Sequence, residues 1–164
     1  SPSTEYSRML SELSQDSARN ALIAEDVAKA AGNGGGTCLV LSDRKEHCNA
    51  LAGLLAELGI DAPVLTGDTG RRDREDIVDR LNEGAIKVLC ATGQLIGEGF
   101  DAARLSTLFL ASPVKFDGRV LQYLGRVLRP ASGKKKATVY DYLDVNIPVL
   151  AASARGRRRI YEEI

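Results

Sequence analysis

The apolar residues of this chain follow two alternating spacings. Runs that are apolar at nearly every position, TCLVLS at 37–42 and IKVLCAT at 86–92, are typical of strands that are buried on both faces of a sheet. Between them, apolar residues three and four apart predict amphipathic helices over 44–58 and 70–81. Further strands are predicted at APVLTG, STLFLAS and ATVYDYL, which span 62–67, 106–112 and 137–143.

The remaining stretches are predicted to be mostly helical. Residues 4–31 predict a helix with a break near Ser14–Ser17, and the glycine-rich segment 32–36 ends it and forms a flexible joint. Helices are also predicted over 117–128 and over 147–164, where the basic sequence ARGRRRI occurs. Strand and helix thus alternate, which predicts a parallel sheet flanked by helices within one domain.

The residues that follow the predicted strands are the first candidates for a binding site, because ligands of such sheets bind at the carboxyl ends of the strands. Hydroxyl residues and glycines at these places are also typical of strand caps and turns, so their position alone does not decide their role. The candidates are Ser42 and Arg44 after the first strand, Thr66 and Gly67 after the second, and Thr92 and Gly93 after the third.

Composition excludes several classes of protein. No apolar run is long enough to span a membrane, and no signal peptide is recognisable. The three cysteines are far apart, which favours buried thiols in a reducing, cytoplasmic setting over a zinc site. His47 is the only histidine, so a histidine-based metal site or catalytic triad is not expected. Residues 112–164 hold 11 Lys/Arg against 5 Asp/Glu, which indicates either a phosphate-facing side or a solvated basic surface.

The sequence QYLGRVLRP at 122–130 predicts a short helix with one cationic stripe. At about 100° per residue, Gln122, Arg126 and Arg129 lie on one face, and apolar residues cover the opposite face. Gly125 borders the polar stripe and allows a close approach there, at a cost of about 1 kcal/mol in helix propensity. This pattern fits a fork of donors for an anion, and it fits a surface helix with two solvated arginines equally well.

Three motifs in order resemble superfamily 2 helicases and translocases over 37–143. Residues 91–93, Ala-Thr-Gly, with Gly99 and Asp101 resemble the fifth motif of that family, and Gln122, Gly125, Arg126 and Arg129 match its sixth. The segment TCLVLSDRKEHCNAL resembles the fourth motif. Because the sixth motif departs from the DEAD-box form, it is more similar to that of double-stranded-DNA helicases and restriction-type translocases.

This resemblance implies a RecA-like, three-layer α/β/α fold with a parallel sheet of about five to six strands. We expect an N-terminal helix and joint over 1–36, the helicase C-terminal lobe over 37–146, and a basic helix packed on it over 147–164. The chain contains no Gly-x-x-x-x-Gly-Lys-Ser/Thr phosphate loop. The resemblance therefore implies that an N-terminal lobe of the same polypeptide holds ATP and Mg²⁺, and that the isolated chain hydrolyses little ATP.

The resemblance also implies roles for individual residues. Arg126 and Arg129 would be arginine fingers for ATP, with Gly99, Asp101, Gln122 and Gly125 lining the nucleotide. The six strand-end candidates would contact a nucleic-acid backbone, with DNA favoured. Two alternatives remain: a non-catalytic nucleic-acid or protein-binding module derived from a helicase lobe, and a stand-alone flavodoxin-like nucleotide binder.

Overall fold

The computed structural model describes residues 2–33, 36–92, 105–112, 137–142 and 159–163. Four helices lie in these ranges: α1 (Pro2–Ser14), α2 (Ser17–Gly32), α3 (Lys45–Glu57) and α4 (Arg71–Asn82). The strands there are β1 (Thr37–Ser42), β2 (Val64–Leu65), β3 (Val88–Thr92), β4 (Leu105–Leu110), β5 (Ala137–Asp141) and β6 (Arg159–Glu163). None of the helices in the described ranges is both long and apolar enough to cross a membrane.

The six strands form one sheet in the order β2-β3-β1-β4-β5-β6. The pairs among the first five are all parallel, and β6 is antiparallel to β5. All six residues of β1 are buried, as expected for the central strand of a parallel sheet covered on both faces. The predicted α/β architecture with a parallel sheet is confirmed.

Alternate residues of β1 face two different cores, which gives the molecule three layers. Leu39 and Leu41 join the core that contains Ile77 and Leu81 of α4. Val40 packs on the opposite face with buried residues of α2 and α3, namely Ile23, Val27, Leu51 and Leu55. The cysteines Cys38, Cys48 and Cys90 are free and buried in this second core, as predicted.

Sequence patterns located one helix break well and missed one strand. The chain breaks between α1 and α2 as predicted, and the Asp16 carboxylate caps α2 by accepting a hydrogen bond of 3.1 Å from the Arg19 N–H. The predicted helix over 147–164 is wrong at 159–163, which form β6. Ile160 and Tyr161 favour extended backbone, and pairing with β5 satisfies the hydrogen-bonding groups along the outer side of that strand. Residues 143–158 and the predicted helix over 117–128 lie outside the described residues.

A buried chain of hydrogen bonds joins β1 to three helices. The Ser42 hydroxyl at the end of β1 lies 2.9 Å from His47 Nδ1, in the first turn of α3. His47 Nε2 lies 2.7 Å from Asn20 Oδ1 on α2, and Asn20 Nδ2 donates a hydrogen bond of 2.9 Å to the carbonyl of Ser14, the last residue of α1. Ser42 and His47 are both 0% exposed, so these contacts are shielded from water.

The direction of each hydrogen bond in this chain follows from its partners. Asn20 uses its Nδ2 as a donor to Ser14, so its Oδ1 accepts from His47 Nε2–H. In a neutral imidazole the other nitrogen then accepts, so the Ser42 hydroxyl donates to Nδ1. The Ser42 oxygen in turn accepts a hydrogen bond of 3.2 Å from the Arg44 N–H. Neutral His47 therefore forms hydrogen bonds with both Ser42 and Asn20. A protonated ring would carry a second N–H at Nδ1, which could bond the Ser42 oxygen only if the hydroxyl hydrogen rotated away.

Burial, assisted by the nearby charge of Arg19, lowers the pKa of His47 from 6.5 to about 4. Because the folded protein takes up this proton less readily than the unfolded chain, the stabilisation is complete above pH 6.5 and is lost as the pH falls through 6.5 toward 4. We predict that this group costs roughly 2–3 kcal/mol of unfolding free energy between about pH 7.5 and 4.5.

The single histidine allows a direct test. In NMR spectra, the one imidazole of the folded chain should keep its neutral chemical shifts through pH 6.5 and titrate near pH 4. The extra acid sensitivity in urea unfolding should disappear in His47→Gln, which has no titrating group at this position. A midpoint near pH 6.5 in the folded protein would contradict the assignment of a buried neutral ring.

Candidate nucleic-acid interface

Four hydroxyl residues stand at the carboxyl ends of four adjacent strands. Thr92 pairs with Ser42 across β3 and β1, and Thr66 follows Leu65, whose partner on β3 is Ala91. Ser112 follows β4, and its Oγ accepts a hydrogen bond of 3.0 Å from the Asp43 N–H just beyond β1. With neighbouring strands about 4.8 Å apart, these residues form a line across the sheet edge, which we call the strand-end row: Thr66, Thr92, Ser42 and Ser112.

The row lies at the base of the edge. Thr66 and Thr92 are 8% and 7% exposed, whereas Ser42 is fully buried and its hydroxyl bonds to His47 and to the Arg44 N–H. The structure therefore places the Ser42 side chain beneath the edge, where it holds the backbone of residue 44. The other described candidates of this group, Arg44, Thr66, Gly67 and Thr92, do come together around the same edge.

A compact turn after β2 presents its backbone at this edge. The Thr69 N–H donates to the Thr66 carbonyl at 3.1 Å, and the Thr69 hydroxyl accepts from the Thr66 N–H at 3.0 Å. The Thr66 hydroxyl accepts from the Asp68 N–H at 3.1 Å. These bonds fix the turn while Gly67 and Asp68 remain exposed. A glycine at this position lets another backbone approach closely.

Two helices begin at the same edge. α3 begins after Arg44 and α4 after Gly70, and neither of these two N-cap residues caps its helix with a side-chain hydrogen bond. The N–H groups of a first helical turn and the helix dipole together attract anions, phosphates above all. One acidic residue in each first turn, Glu46 and Asp73, offsets part of this positive potential.

Two cations flank the N-terminus of α3. Arg44 Nη2 donates to both the carbonyl and the hydroxyl oxygen of Ser7 on α1, at 2.6 and 2.7 Å. Lys45 Nζ forms an ion pair with Asp68 of the turn after β2, and the two side chains are 51% and 72% exposed. An exposed ion pair of this kind contributes only about 0–1 kcal/mol, so Lys45 can exchange Asp68 for another anion at little cost.

The residues predicted to contact ATP lie outside the described part of the chain. These are Gly99, Asp101, Gln122, Gly125, Arg126 and Arg129, and Gly93 of the nucleic-acid group lies there too. Among the described residues, no cluster of three or more His, Cys, Asp or Glu side chains could hold a metal ion.

Sequence reasoning missed two groups at this edge. His47 was considered only as a possible metal ligand or triad member, and its links to Ser42 and Asn20 depend on contacts between separate elements. Lys45 is not among the sequence candidates, and its ion pair with Asp68 joins two elements that are 23 positions apart. The feature of the sequence that could have indicated the Ser42–His47 contact is a histidine in the first turn of a predicted helix, five positions after a strand-end serine.

Comparison with known proteins identifies the family of this chain. Residues 16–131 match the family model of the helicase conserved C-terminal domain. The probable helicase D10 of Escherichia phage T5 is 30% identical over 129 residues, which cover 79% of this chain and 28% of that protein. The putative ATP-dependent helicase IRC3 of Saccharomyces cerevisiae is 28% identical over 99 residues, 60% of this chain and 14% of the relative.

Solved structures show the same fold. The crystal structure of T4 UvsW superposes with a TM-score of 0.68 at 26% identity, and the match covers 85% of this chain and 28% of that one. The chain thus spans less than a third of the length of each of these three proteins. Since the family model covers well over half of the chain, the protein belongs to the helicase conserved C-terminal domain family and is the RecA-like C-terminal domain of a superfamily 2 helicase.

Proposed function

We propose that this chain is the C-terminal lobe of an ATP-dependent helicase or translocase that holds a nucleic-acid backbone at the carboxyl edge of its sheet. In this proposal it also supplies Arg126 and Arg129 to ATP bound on an N-terminal lobe of the same polypeptide. The observation that carries the proposal is the convergence, in a helicase-family domain, of two helix N-termini and a fixed glycine-containing turn at one edge of a parallel sheet.

The groups at this edge suit phosphates better than bases. Backbone N–H groups, hydroxyls and the cations of Arg44 and Lys45 are the usual partners of phosphate oxygens, and such contacts carry no sequence information. A motor that steps along any sequence needs this kind of contact. We assign the surface contacts to Arg44, Thr66, Gly67, Thr92 and Gly93, and we assign Ser42 the role of holding the residues above it.

Lys45 is an additional member of this interface. Its ion pair with Asp68 spans the space between the N-terminus of α3 and the turn that leads to α4. A phosphate that binds between the two helix N-termini would compete with the Asp68 carboxylate for the lysine. Asp68 therefore screens the interface when it is empty, and its removal should strengthen binding.

The nucleotide side of the proposal rests on the family resemblance and the motif residues. ATP with Mg²⁺ would supply the phosphoryl transfer to water that drives movement along the strand. Arg126 and Arg129 would stabilise the negative charge on the phosphoryl oxygens, since guanidinium groups stay ionised and bind such oxygens in a bidentate manner. Gly99, Asp101, Gln122 and Gly125 would line the nucleotide, with Asp101 near the ribose. DNA is the proposed nucleic acid, because the sixth motif is more similar to those of double-stranded-DNA helicases.

Binding of single-stranded DNA to the chain should depend on salt and on Lys45, and little on sequence. We expect dissociation constants for two unrelated oligonucleotides of about 20 nucleotides to agree within about threefold, since phosphate contacts dominate. Lys45→Ala should weaken binding and reduce the slope of log affinity against log salt by about 0.7. Asp68→Asn should strengthen binding. Fluorescence anisotropy between about 50 and 200 mM salt measures all three effects.

The matched control for Lys45 is Lys87→Ala. Lys87 is also an exposed lysine, but it precedes β3 and therefore lies at the amino edge of the sheet. Its removal should leave the affinity close to that of the wild type. Equal losses in the two lysine variants would mean that only the net charge matters and would argue against this interface.

The arginine assignment predicts a separation of ATP turnover from nucleic-acid binding. In the longer polypeptide that the proposal requires, Arg126→Ala or Arg129→Ala should reduce ATP turnover by about a thousandfold or more, with little change in DNA affinity. Steady-state ATPase assays and anisotropy on the same preparations compare the two effects, and the 164-residue chain alone should hydrolyse little ATP. Parallel losses of both functions would contradict the finger assignment. Unchanged turnover in both variants would favour the non-catalytic binding module.

A further inference from the structure

We propose that His47 is a positioning residue of this interface, which sets the direction of the N-terminal turn of α3 through the hydroxyl of Ser42. This inference rests on the proposed function, because it concerns how the nucleic-acid contacts are held. His47 does not reach the surface, since its side chain is fully buried. Its two ring nitrogens connect the end of β1 to α2, and the residues that it holds in place lie directly beside the strand-end row.

The connection from His47 to the surface passes through three short links. His47 Nδ1 accepts from the Ser42 hydroxyl at 2.9 Å, and this contact fixes the direction of the oxygen's remaining lone pairs. That oxygen accepts from the Arg44 N–H at 3.2 Å. The Arg44 carbonyl then accepts from the Cys48 N–H at 3.1 Å, which is the first hydrogen bond of α3. The place where α3 begins therefore depends on the orientation of the Ser42 hydroxyl.

Residue 43 is held from the other side. Its N–H donates to the Ser112 hydroxyl, so the turn from β1 into α3 is fixed by one serine of its own strand and by one that follows β4. The side chains that leave this turn toward the interface are those of Arg44 and Lys45, both of which meet partners outside α3. A small rotation of the turn would displace both cations and the helix N-terminus together.

A histidine is not required at this position for packing alone. The neighbours of His47 along α3, Cys48 and Leu51, belong to an apolar core that an aliphatic side chain could extend. A buried hydrogen-bond chain adds little net stability over a well-packed apolar group, but it fixes orientation more narrowly. These hydrogen bonds continue through Asn20 of α2 to the last carbonyl of α1. α1 is therefore linked to the start of α3 twice, indirectly through Asn20 and directly through the Arg44–Ser7 contact.

Two amide substitutions test the two hydrogen bonds of His47 separately. The amide of asparagine overlies the Nδ1 side of imidazole, so His47→Asn keeps an acceptor for the Ser42 hydroxyl and loses the link to Asn20. The amide of glutamine reaches the Nε2 position, so His47→Gln keeps a donor to Asn20 and loses the Ser42 link. Each variant leaves one buried polar group unpaired, so similar losses of stability are expected.

The experiment measures the affinity of the folded 164-residue chain for single-stranded DNA at low salt, with urea unfolding of each variant alongside. We expect His47→Asn to bind within about twofold of the wild type and His47→Gln to bind about fivefold or more weakly, in line with a lost orienting hydrogen bond. Ser42→Ala should weaken DNA binding as much as His47→Gln does. The double variant Ser42→Ala/His47→Gln should bind no more weakly than either single variant.

Other outcomes separate the inference from the function on which it rests. Wild-type affinity in both His47 variants, or equal weakening in both, would overturn the positioning role and leave the interface intact. If the wild-type chain itself shows no salt-dependent DNA binding, the proposed function fails, and the inference fails with it. Backbone amide exchange gives an independent readout, since the Arg44 amide proton should be protected in His47→Asn and exposed to exchange in His47→Gln. Equal protection in the two variants would overturn the inference.

Discussion

The edge of this domain depends on one buried contact between a strand and the helix that follows it. The Ser42 hydroxyl joins the end of β1 to His47 in the first turn of α3 and accepts the backbone N–H of Arg44. Because the N-cap residue of α3 is Arg44, whose guanidinium has no acceptor, the helix receives no hydrogen bond from its N-cap side chain. Its N–H groups thus remain directed at the edge, where a phosphate can use them.

The burial of Ser42 against His47 also explains why the strand-end residues have different roles. Ser42 and Ser112 hold the backbone of residues 43 and 44 from beneath, whereas Thr66 fixes the turn that exposes Gly67. Arg44 and Lys45 reach outward, and their partners among the described residues are a neutral serine and an exposed carboxylate. A rigid base with exchangeable outer contacts suits the proposed binding and release of a phosphate backbone.

Sequence patterns predicted the parallel sheet and the strand ends that share its carboxyl edge, because both depend on local periodicity and chain order. The continuous apolar run at 37–42 identified the fully buried central strand, and the predicted break near Ser14–Ser17 separates α1 from α2. Strand β6 was missed because its partner strand, which stabilises it, lies 18 or more positions away in sequence. Helical periodicity in a short basic stretch contains no information about that pairing.

The role of individual side chains at the edge was harder to predict. A serine at a strand end can point to solvent or into the core, and only the packing of α3 shows that Ser42 is buried. The importance of His47 depends on Asn20, which is 27 positions away on another helix. Such polar chains between elements leave no periodic pattern, so a lone histidine gives little indication of its partners.

The most direct test is to map which residues of the chain single-stranded DNA contacts. In two-dimensional amide NMR spectra, addition of an oligonucleotide should shift the signals of Lys45, Gly67, Thr92 and the first turn of α4, all at the carboxyl edge. Signals at the amino edge, such as those of Thr37, Lys87 and Leu105, should stay unchanged. Shifts that cluster at the amino edge, with the carboxyl-edge signals unchanged, would contradict the proposed interface.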